Sequence, residues 1–236
     1  MPDYAWALVH RSKAHRHRRA YNKALADAYR AAELDPVGAW VLANKIETDL
    51  GVGRLERARS DLERYHSLDG DTEWARRQLV TVHLLSGRLG EALAEADTAA
   101  TRCAVHLRMR NWRLARQDAE QLRSTDECQG LLHVALAVSG AEGVAAARPL
   151  WTSLTGAARH PDPRPLMETV ASAAVQDWPR LDAWLHRGLT GYDELATLAD
   201  CLRILLHSPG ADRSRHAPRL ARAIAARDEM RARYAE

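Results

Sequence analysis

The sequence predicts an all-α chain, organised as an α-solenoid of stacked antiparallel helix hairpins with a C-terminal helical extension. Two residue types recur at intervals of 34 positions, namely Trp6, Trp40 and Trp74, and Ala24, Ala58 and Ala92. This period is typical of a helix-turn-helix unit that can bury its apolar face only against the next unit. No stretch shows the period-two alternation of β-branched residues that indicates a half-buried strand, so we expect no sheet.

Other apolar positions keep their character through the same interval. Equivalent places hold Leu8 and Leu42, Leu34 and Leu68, and Tyr21, Leu55 and Leu89. The segment 21–36, with Ala24, Ala28 and Ala31 on one helical face, resembles the second helix and exit loop of a tetratricopeptide repeat. In that family small residues at these places let adjacent hairpins approach closely, and Pro36 is expected to end the helix. The resemblance implies a tetratricopeptide-like fold.

The repeat array is expected over residues 1–157, in units at about 5–38, 39–72 and 73–103 followed by degenerate hairpins. The fourth alanine of the series, Ala115, follows Ala92 after 23 residues instead of 34, which predicts a short first helix near 104–110. A fifth hairpin is expected from 128–139 and 141–154, where Pro149 should disturb the second helix. Ile46 and Val80 replace the small residue that the first unit has at Ser12, which predicts looser or shifted helix packing there.

The region 164–236 is expected to be a separate helical and capping region. Three prolines in the segment 160–165 favour an extended linker. Leucines at helical spacing over 195–206 predict a helix that ends at Ser208-Pro209-Gly210. From about Arg215 the Ala- and Arg-rich sequence predicts a terminal capping helix with a polar outer face.

The opening segment 2–7 resembles the start of a first helix in the middle of long bacterial tetratricopeptide arrays. One hypothesis is therefore that the chain is the tail, remnant or shortened relative of a larger multidomain signalling protein. A hairpin that begins without a cap would also expose an apolar face, so self-association is a second expectation.

Composition is consistent with a bacterial protein that stays in the cytoplasm. The 34 Lys and Arg against 31 Asp and Glu give a net charge of +3, and Arg outnumbers Lys strongly. The N-terminus lacks an apolar signal-peptide core, and the least polar segment, 131–138, is too short to cross a bilayer. Cys103, Cys128 and Cys201 are few and unclustered, as in a reducing compartment; buried thiols and a redox pair are the two interpretations.

The segment His10–Arg19 is rich in basic and titratable residues. It could bind nucleic acid by releasing counterions, or it could be a solvated helix around one narrow apolar strip. The low net charge and the lack of interleaved aromatic residues favour the solvated helix. His10, His15 and His17 lack the i, i+4 spacing of two metal ligands, so no metal site is expected.

No catalytic motif is present in the sequence. A phosphate-binding Gly-rich loop, a Gly-x-Ser-x-Gly elbow and a His-Glu-x-x-His pair are all lacking. We therefore expect a chain that is not an enzyme and needs no cofactor.

The family resemblance implies where a partner would bind. In tetratricopeptide proteins the first helix of each hairpin lines a concave groove, and the matching positions include Trp6, Lys13, Arg16, His17, Trp40, Asn44, Glu47, Trp74, Arg77, Gln78 and Thr81. The three tryptophans could instead pack in the core against the preceding hairpin. Lys13, Asn44 and Arg77 could hold an acidic or C-terminal peptide, although they do not reproduce the family's carboxylate clamp.

The sequence thus indicates an adaptor for a protein or peptide partner. The alternative is a nucleic-acid-associated helical protein that uses Arg16, Arg18 and Arg19 of the basic segment, and we favour it less.

Overall fold

The structure, a computed structural model, describes residues 4–70, 72–157, 165–187 and 191–234. Within these ranges the chain forms fourteen α-helices and no strand, so the all-α prediction is confirmed. In chain order the helices are α1 Ala5–His17, α2 Tyr21–Leu34, α3 Ala39–Val52, α4 Leu55–Asp69, α5 Glu73–Leu85, α6 Leu89–Glu95, α7 Ala99–Arg108, α8 Trp112–Leu122, α9 Glu127–Glu142, α10 Arg148–Ala157, α11 Pro165–Ala174, α12 Trp178–Arg187, α13 Tyr192–His207 and α14 Arg213–Tyr234.

Consecutive helices pair as hairpins, from α1 with α2 to α11 with α12. The contacts divide the described residues into two compact units. The first contains the residues described within Met1–Glu95, Thr190–Asp193 and Asp228–Glu236, and the second those within Ala96–Leu189 and Glu194–Arg227. In the first unit α2 packs on α3 and α4 packs on α5, and in the second α8 packs on α9 and α10 on α11. Neighbouring hairpins are therefore stacked within each unit.

A fully buried alanine lies where the two helices of each of the first four hairpins approach. Ala24, Ala58, Ala92 and Ala115 are all completely buried. Ser12 Oγ donates to the carbonyl of Ala24 at 2.9 Å, and Cys103 Sγ donates to the carbonyl of Ala115 at 3.2 Å. Both bonds join residues twelve positions apart, so the shortened interval before the fourth hairpin preserves the packing register.

The same register carries an ion pair between the two helices of a hairpin. Arg11 donates to Asp27 through two bonds of 2.7 Å, and Arg102 Nε donates to Asp118 at 3.0 Å. In the second hairpin Lys45 pairs with Asp61. Each pair is separated by sixteen residues in the chain. The repeat therefore includes a polar contact beside its apolar one.

Ile46 and Val80 hold the place of Ser12 in the second and third hairpins, and both are buried, at 0% and 2% exposure. Looser or shifted helix packing at these residues stays a prediction. In the fifth hairpin the arrangement changes. Trp151, also fully buried, donates through Nε1 to Ser139 Oγ at 3.0 Å, again across twelve residues. A large ring thus fills the place that a small alanine holds in the other hairpins.

Two predicted helix boundaries in the degenerate hairpins were wrong. The first helix of the fourth hairpin begins at Ala99, well before the predicted start near Ala104, because Thr98 caps it and forms a capping box with Thr101. The second helix of the fifth hairpin was predicted from 141, but α10 begins at Arg148, with Pro149 as its second residue. A proline is tolerated there because the N–H groups of the first turn have no hydrogen-bond acceptor within the helix, so the missing N–H of proline costs no helical hydrogen bond.

The proline-rich boundary predicted at 160–165 lies, apart from Pro165, outside the described residues, and it stays a prediction. Beyond it, α13 and α14 confirm the two helices expected from the leucine spacing and the Ala-Arg-rich segment. Across the described ranges, no helix combines the length and the apolar character needed to cross a membrane.

The end of α14 packs against the first two hairpins. The ring of Tyr234 lies 6.0 Å from that of Tyr21, edge to face, and Arg54 Nε donates to the carbonyl of Tyr234 at 2.8 Å. Tyr192 packs beside the α3–α4 turn, where Gly53 ends α3 with φ of +84°. A Cβ at Gly53 would lie 2.7 Å from Cδ2 of Tyr192.

Replacing Gly53 with alanine is expected to destabilise the chain by more than the same change at Gly87. Both glycines have positive φ, but nothing lies within 4 Å of a Cβ built at Gly87. Gly87→Ala should cost about 1 kcal/mol of unfolding free energy for backbone strain. Gly53→Ala should cost roughly 1–3 kcal/mol more, because Tyr192 must move.

Urea unfolding followed by circular dichroism measures both values. In a Tyr192→Ala background, Gly53→Ala should cost no more than Gly87→Ala. Equal costs for the two single variants would contradict the close contact with Tyr192.

Candidate interaction surface

Two of the three periodic tryptophans are exposed on first helices. Trp6 on α1 is 54% exposed and Trp40 on α3 is 44% exposed. The ring of Trp6 lies 4.1 Å from that of His10 one turn further along α1 and 6.3 Å from Tyr4. Because they hold equivalent repeat positions, the two rings mark the same place on two consecutive hairpins.

The third tryptophan is placed differently. Trp74 on α5 is half-buried, its ring lies 4.9 Å from that of Tyr65, and it packs against the main apolar cluster of the first unit. The two interpretations of the tryptophan series therefore apply to different members. Trp74 contributes to the core, whereas Trp6 and Trp40 face solvent.

Charged residues accompany the exposed tryptophans. Lys13 and His17 on α1 and Arg77 on α5 are exposed. Arg16 Nη2 donates to Glu47 Oε2 at 2.8 Å, which links α1 to α3 through a half-buried ion pair. We call the exposed set Trp6, Lys13, His17, Trp40 and Arg77 the first-helix face.

The remaining predicted residues lie deeper. Asn44 is only 1% exposed, and neither its Oδ1 nor its Nδ2 has a hydrogen-bond partner among the described residues. Gln78 and Thr81 are half-buried, and Thr81 Oγ1 donates to the Arg77 carbonyl at 2.9 Å. Of the three donors Lys13, Asn44 and Arg77, the structure therefore exposes only the first and the last.

The basic segment of α1 is partly neutralised within its own hairpin. The carboxylate of Asp27 on α2 accepts both bonds from Arg11 and lies 3.8 Å from His15 Nε2. Arg16 is engaged by Glu47. Lys13 and, just after the end of the helix, Arg18 and Arg19 are exposed, and the side chain of Arg11 is itself 56% exposed.

A buried polar cluster fixes α3 from the side opposite to Trp40. Asp49 is completely buried, and its two carboxylate oxygens accept from Tyr29 Oη at 3.0 and 3.1 Å. Lys45 donates to Asp49 at 3.3 Å and also to Asp61, while Arg54 Nη1 lies 3.9 Å from Asp49. The Lys45 ammonium lies 4.3 Å above the centre of the Tyr29 ring. These contacts connect α2, α3 and α4.

Burial raises the pKa of Asp49 above its ordinary value, although Lys45, Tyr29 and Arg54 act in the opposite direction. Burial would lower the pKa of Lys45, but its hydrogen bond to Asp61 and the charges of Asp49 and Asp61 outweigh burial and raise it. The cluster therefore keeps Lys45 charged at neutral pH.

Sequence analysis missed this cluster and the cross-helix ion pairs. The available signal was the sixteen-residue spacing of a cation and an aspartate in three hairpins. Asp49 was harder to find, because it stands where the equivalent positions hold His15 and His83.

The other groups able to carry chemistry are dispersed. Burial raises the pKa of the Cys103 and Cys201 thiols to about 12, so both are protonated and weakly nucleophilic at neutral pH. Among the residues that the structure describes, no three His, Cys, Asp or Glu side chains are grouped so as to hold a metal ion.

Removal of the Asp49 carboxylate is expected to destabilise the first unit. Asp49→Ala should cost about 3 kcal/mol or more of unfolding free energy at pH 7, because Lys45 and Tyr29 lose a buried acceptor. Asp49→Asn keeps the shape and one acceptor oxygen, so it should cost less.

The cost of Asp49→Asn should also depend on pH. An acid whose pKa is raised by folding makes the folded state less stable as pH rises from the unfolded pKa of about 4 through the folded value. Wild-type stability therefore falls in that window while the Asn variant lacks this change, so the cost of Asp49→Asn should shrink with rising pH. Urea titrations at several pH values measure it, and a cost that grows with pH would contradict the raised pKa.

No protein-family model matches the sequence, and no curated protein matches it. A tetratricopeptide repeat protein from Parabacteroides merdae is similar in structure, with a TM-score of 0.53 and 12% identity over 96% of this chain and 97% of that chain.

A chain in the structure of Naa15/Naa10 bound to HypK-THB is less similar. Its TM-score is 0.42 at 15% identity, over 98% of this chain and 42% of that chain, and this likeness carries no further conclusion. At 12% identity the likeness to the Parabacteroides merdae protein concerns the fold alone. Together with the stacked hairpins and their register, it shows that the chain has a tetratricopeptide-like, all-α solenoid fold.

Proposed function

We propose that the chain is a non-enzymatic adaptor that binds a protein or peptide segment on its first-helix face. The observation that carries this proposal is the exposure of Trp6 and Trp40 at equivalent positions of α1 and α3. Large aromatic side chains are costly to leave in water, and they are the side chains most often found to dominate protein-protein interfaces. Two such rings one repeat apart suit a segment that runs across successive hairpins.

The charges around the rings suggest the chemistry of the partner. Lys13 and Arg77 are exposed cations, and the Arg16–Glu47 pair lies next to them in the repeat register. A segment with an apolar or aromatic anchor and acidic residues would satisfy both features. Asn44 is too deeply buried to make the first contact, so we assign it no role in partner capture.

Rigidity of the hairpins supports binding without large rearrangement. α3 is held on its other side by Asp49, Lys45 and Tyr29, so Trp40 projects from a fixed helix. A face whose helices are already fixed loses less conformational entropy on binding, so the entropic cost of association is smaller. The tetratricopeptide-like fold and the sequence composition support a scaffold role in a bacterial cytoplasm.

The alternative, binding of nucleic acid by the basic segment of α1, has less support. Arg11 and Arg16 already pair with Asp27 and Glu47 in their own unit, which reduces the positive charge that the segment presents. Self-association through the exposed Tyr4 and Trp6 is a further outcome that the same experiment can report.

The proposal can be tested by selecting random displayed peptides against the purified chain. Peptides recovered on the wild type should lose binding to the double variant Trp6→Ala/Trp40→Ala. Loss of an aromatic anchor typically costs about 2 kcal/mol or more, which corresponds to roughly a 30-fold weaker Kd. Fluorescence polarisation with the selected peptides measures the affinity.

Leu68→Ala is the matched control, because Leu68 is 41% exposed but lies on the second helix α4. It should leave peptide affinity unchanged. If no peptide is enriched, or if the double variant binds as tightly as the wild type, the first-helix face is not the binding site. Light scattering of the unliganded chain measures its oligomeric state. If the wild type is an oligomer and the double variant is a monomer, a second copy covers this face, and self-association is favoured over peptide capture.

A further inference from the structure

An open cleft of about 610 Å³ lies in the first unit, away from the first-helix face. Three structural segments form its walls. They are the α3–α4 turn with the first turn of α4, the end of α5 with the turn that follows it, and the end of α14. Its volume is in the range of pockets that hold small organic ligands.

Arginines dominate the charge of this cleft. Arg54, Arg57 and Arg231 line it, and Glu56 is the one acidic residue in the lining. Glu56 is itself shared with Arg88, whose Nη2 lies 4.0 Å from its carboxylate. Three guanidinium groups and one carboxylate line the cleft, which gives it an excess of positive charge although Arg54 also lies 3.9 Å from the buried Asp49. The N–H groups of the first turn of α4 add to the positive potential.

Two of the arginines are held in place by contacts at the wall. Arg54 donates to the Tyr234 carbonyl at 2.8 Å, and Arg57 Nη1 donates to Tyr29 Oη at 3.3 Å. Arg231 is exposed on α14 and has no ion-pair or hydrogen-bond partner among the described residues. The cleft thus combines the positioned guanidinium groups of Arg54 and Arg57 with that of Arg231, which is exposed.

A polar group without a partner points to a ligand in the same place. Ser86 lines the cleft, and its hydroxyl oxygen is buried with no hydrogen-bond partner among the described residues. A buried hydroxyl left unsatisfied costs stability, and a ligand oxygen in the cleft can accept a hydrogen bond from it. Leu55 and Leu85 supply apolar wall next to it, so the cleft can also contact the uncharged body of a ligand.

We propose that this cleft binds the phosphate group of a phosphate monoester. A phosphate dianion matches the fork geometry of guanidinium groups and accepts several charge-assisted hydrogen bonds at once. Arg231 and Ser86 contact the phosphate oxygens, and Arg54 and Arg57 complete the positive wall. Since none of the first-helix face residues lines the cleft, the site is independent of the function proposed above.

The phosphate could belong to a small metabolite or to a phosphorylated side chain of a protein. Isothermal titration calorimetry with the full chain distinguishes these sources by two matched pairs of probes. One pair is adenosine monophosphate and adenosine, and the other is a phosphoserine peptide and its unphosphorylated form. Where a phosphorylated probe binds, its unphosphorylated counterpart should not bind. The affinity for the phosphorylated probe should fall as the salt concentration rises. The tighter of the two phosphorylated probes indicates the source.

Variants of similar chemistry test the location. Arg231→Gln should weaken the binding of the phosphorylated probe about tenfold, since a charge-assisted bond is lost. Ser86→Ala should weaken it about threefold. Arg233→Gln is the control, because Arg233 lies on the same helix but pairs with Glu229 at 2.7 Å and is not in the lining. It should leave affinity within about twofold.

Three outcomes would overturn the proposal. They are failure of both phosphorylated probes to bind, equal binding of adenosine and adenosine monophosphate, and equal effects of Arg231→Gln and Arg233→Gln. Because Arg231 is exposed, Arg231→Gln should keep the wild-type circular dichroism spectrum, and Ser86→Ala gives a second test that leaves the charge unchanged.

Discussion

The close approach of the two helices within each of the first four hairpins is the constraint on which the rest of the structure depends. It requires a side chain no larger than alanine at Ala24, Ala58, Ala92 and Ala115, and all four are completely buried. Once these helices touch, residues twelve and sixteen positions apart come into reach, which places Ser12 on the Ala24 carbonyl and Arg11 on Asp27. Packing and polar contacts thus share a single register. Trp151 shows the alternative solution, in which a ring fills the space and bonds to Ser139.

Features that follow the repeat spacing could be predicted from the sequence, and features set by a single helix cap or by distant segments could not. The recurring alanines predicted where the two helices of a hairpin meet, including at Ala115 after the shortened interval, because a repeat imposes the same packing at each step. The start of α7 was missed because it is set by the cap at Thr98 and not by hydrophobic spacing. The bond from Arg54 to the Tyr234 carbonyl joins residues 180 positions apart, and no periodicity encodes it.

The candidate site shows the same division. The repeat positions predicted for the site include Trp6 and Trp40, which are both exposed, but they also include Trp74 and Asn44, which lie in or near the core. Exposure is decided by what packs over each side chain, and the ring of Tyr65 lies 4.9 Å from that of Trp74. Side chains at equivalent repeat positions therefore lie on the same face of their helices, but they can differ in burial.

The end of α14 contributes to stability and recognition through the same contacts. Tyr234 packs on Tyr21, and Arg54 binds its carbonyl, so this segment is attached to hairpins close to the chain start. Arg231 lies one helical turn before Tyr234 and reaches the cleft beside Arg54 and Arg57. A ligand that bridges Arg231 to the turn after α3 binds only when the segment is docked, and by mass action it must stabilise the docked state. The reverse also holds, since any change that weakens the packing of Tyr234 must lower the affinity of the cleft for an anion.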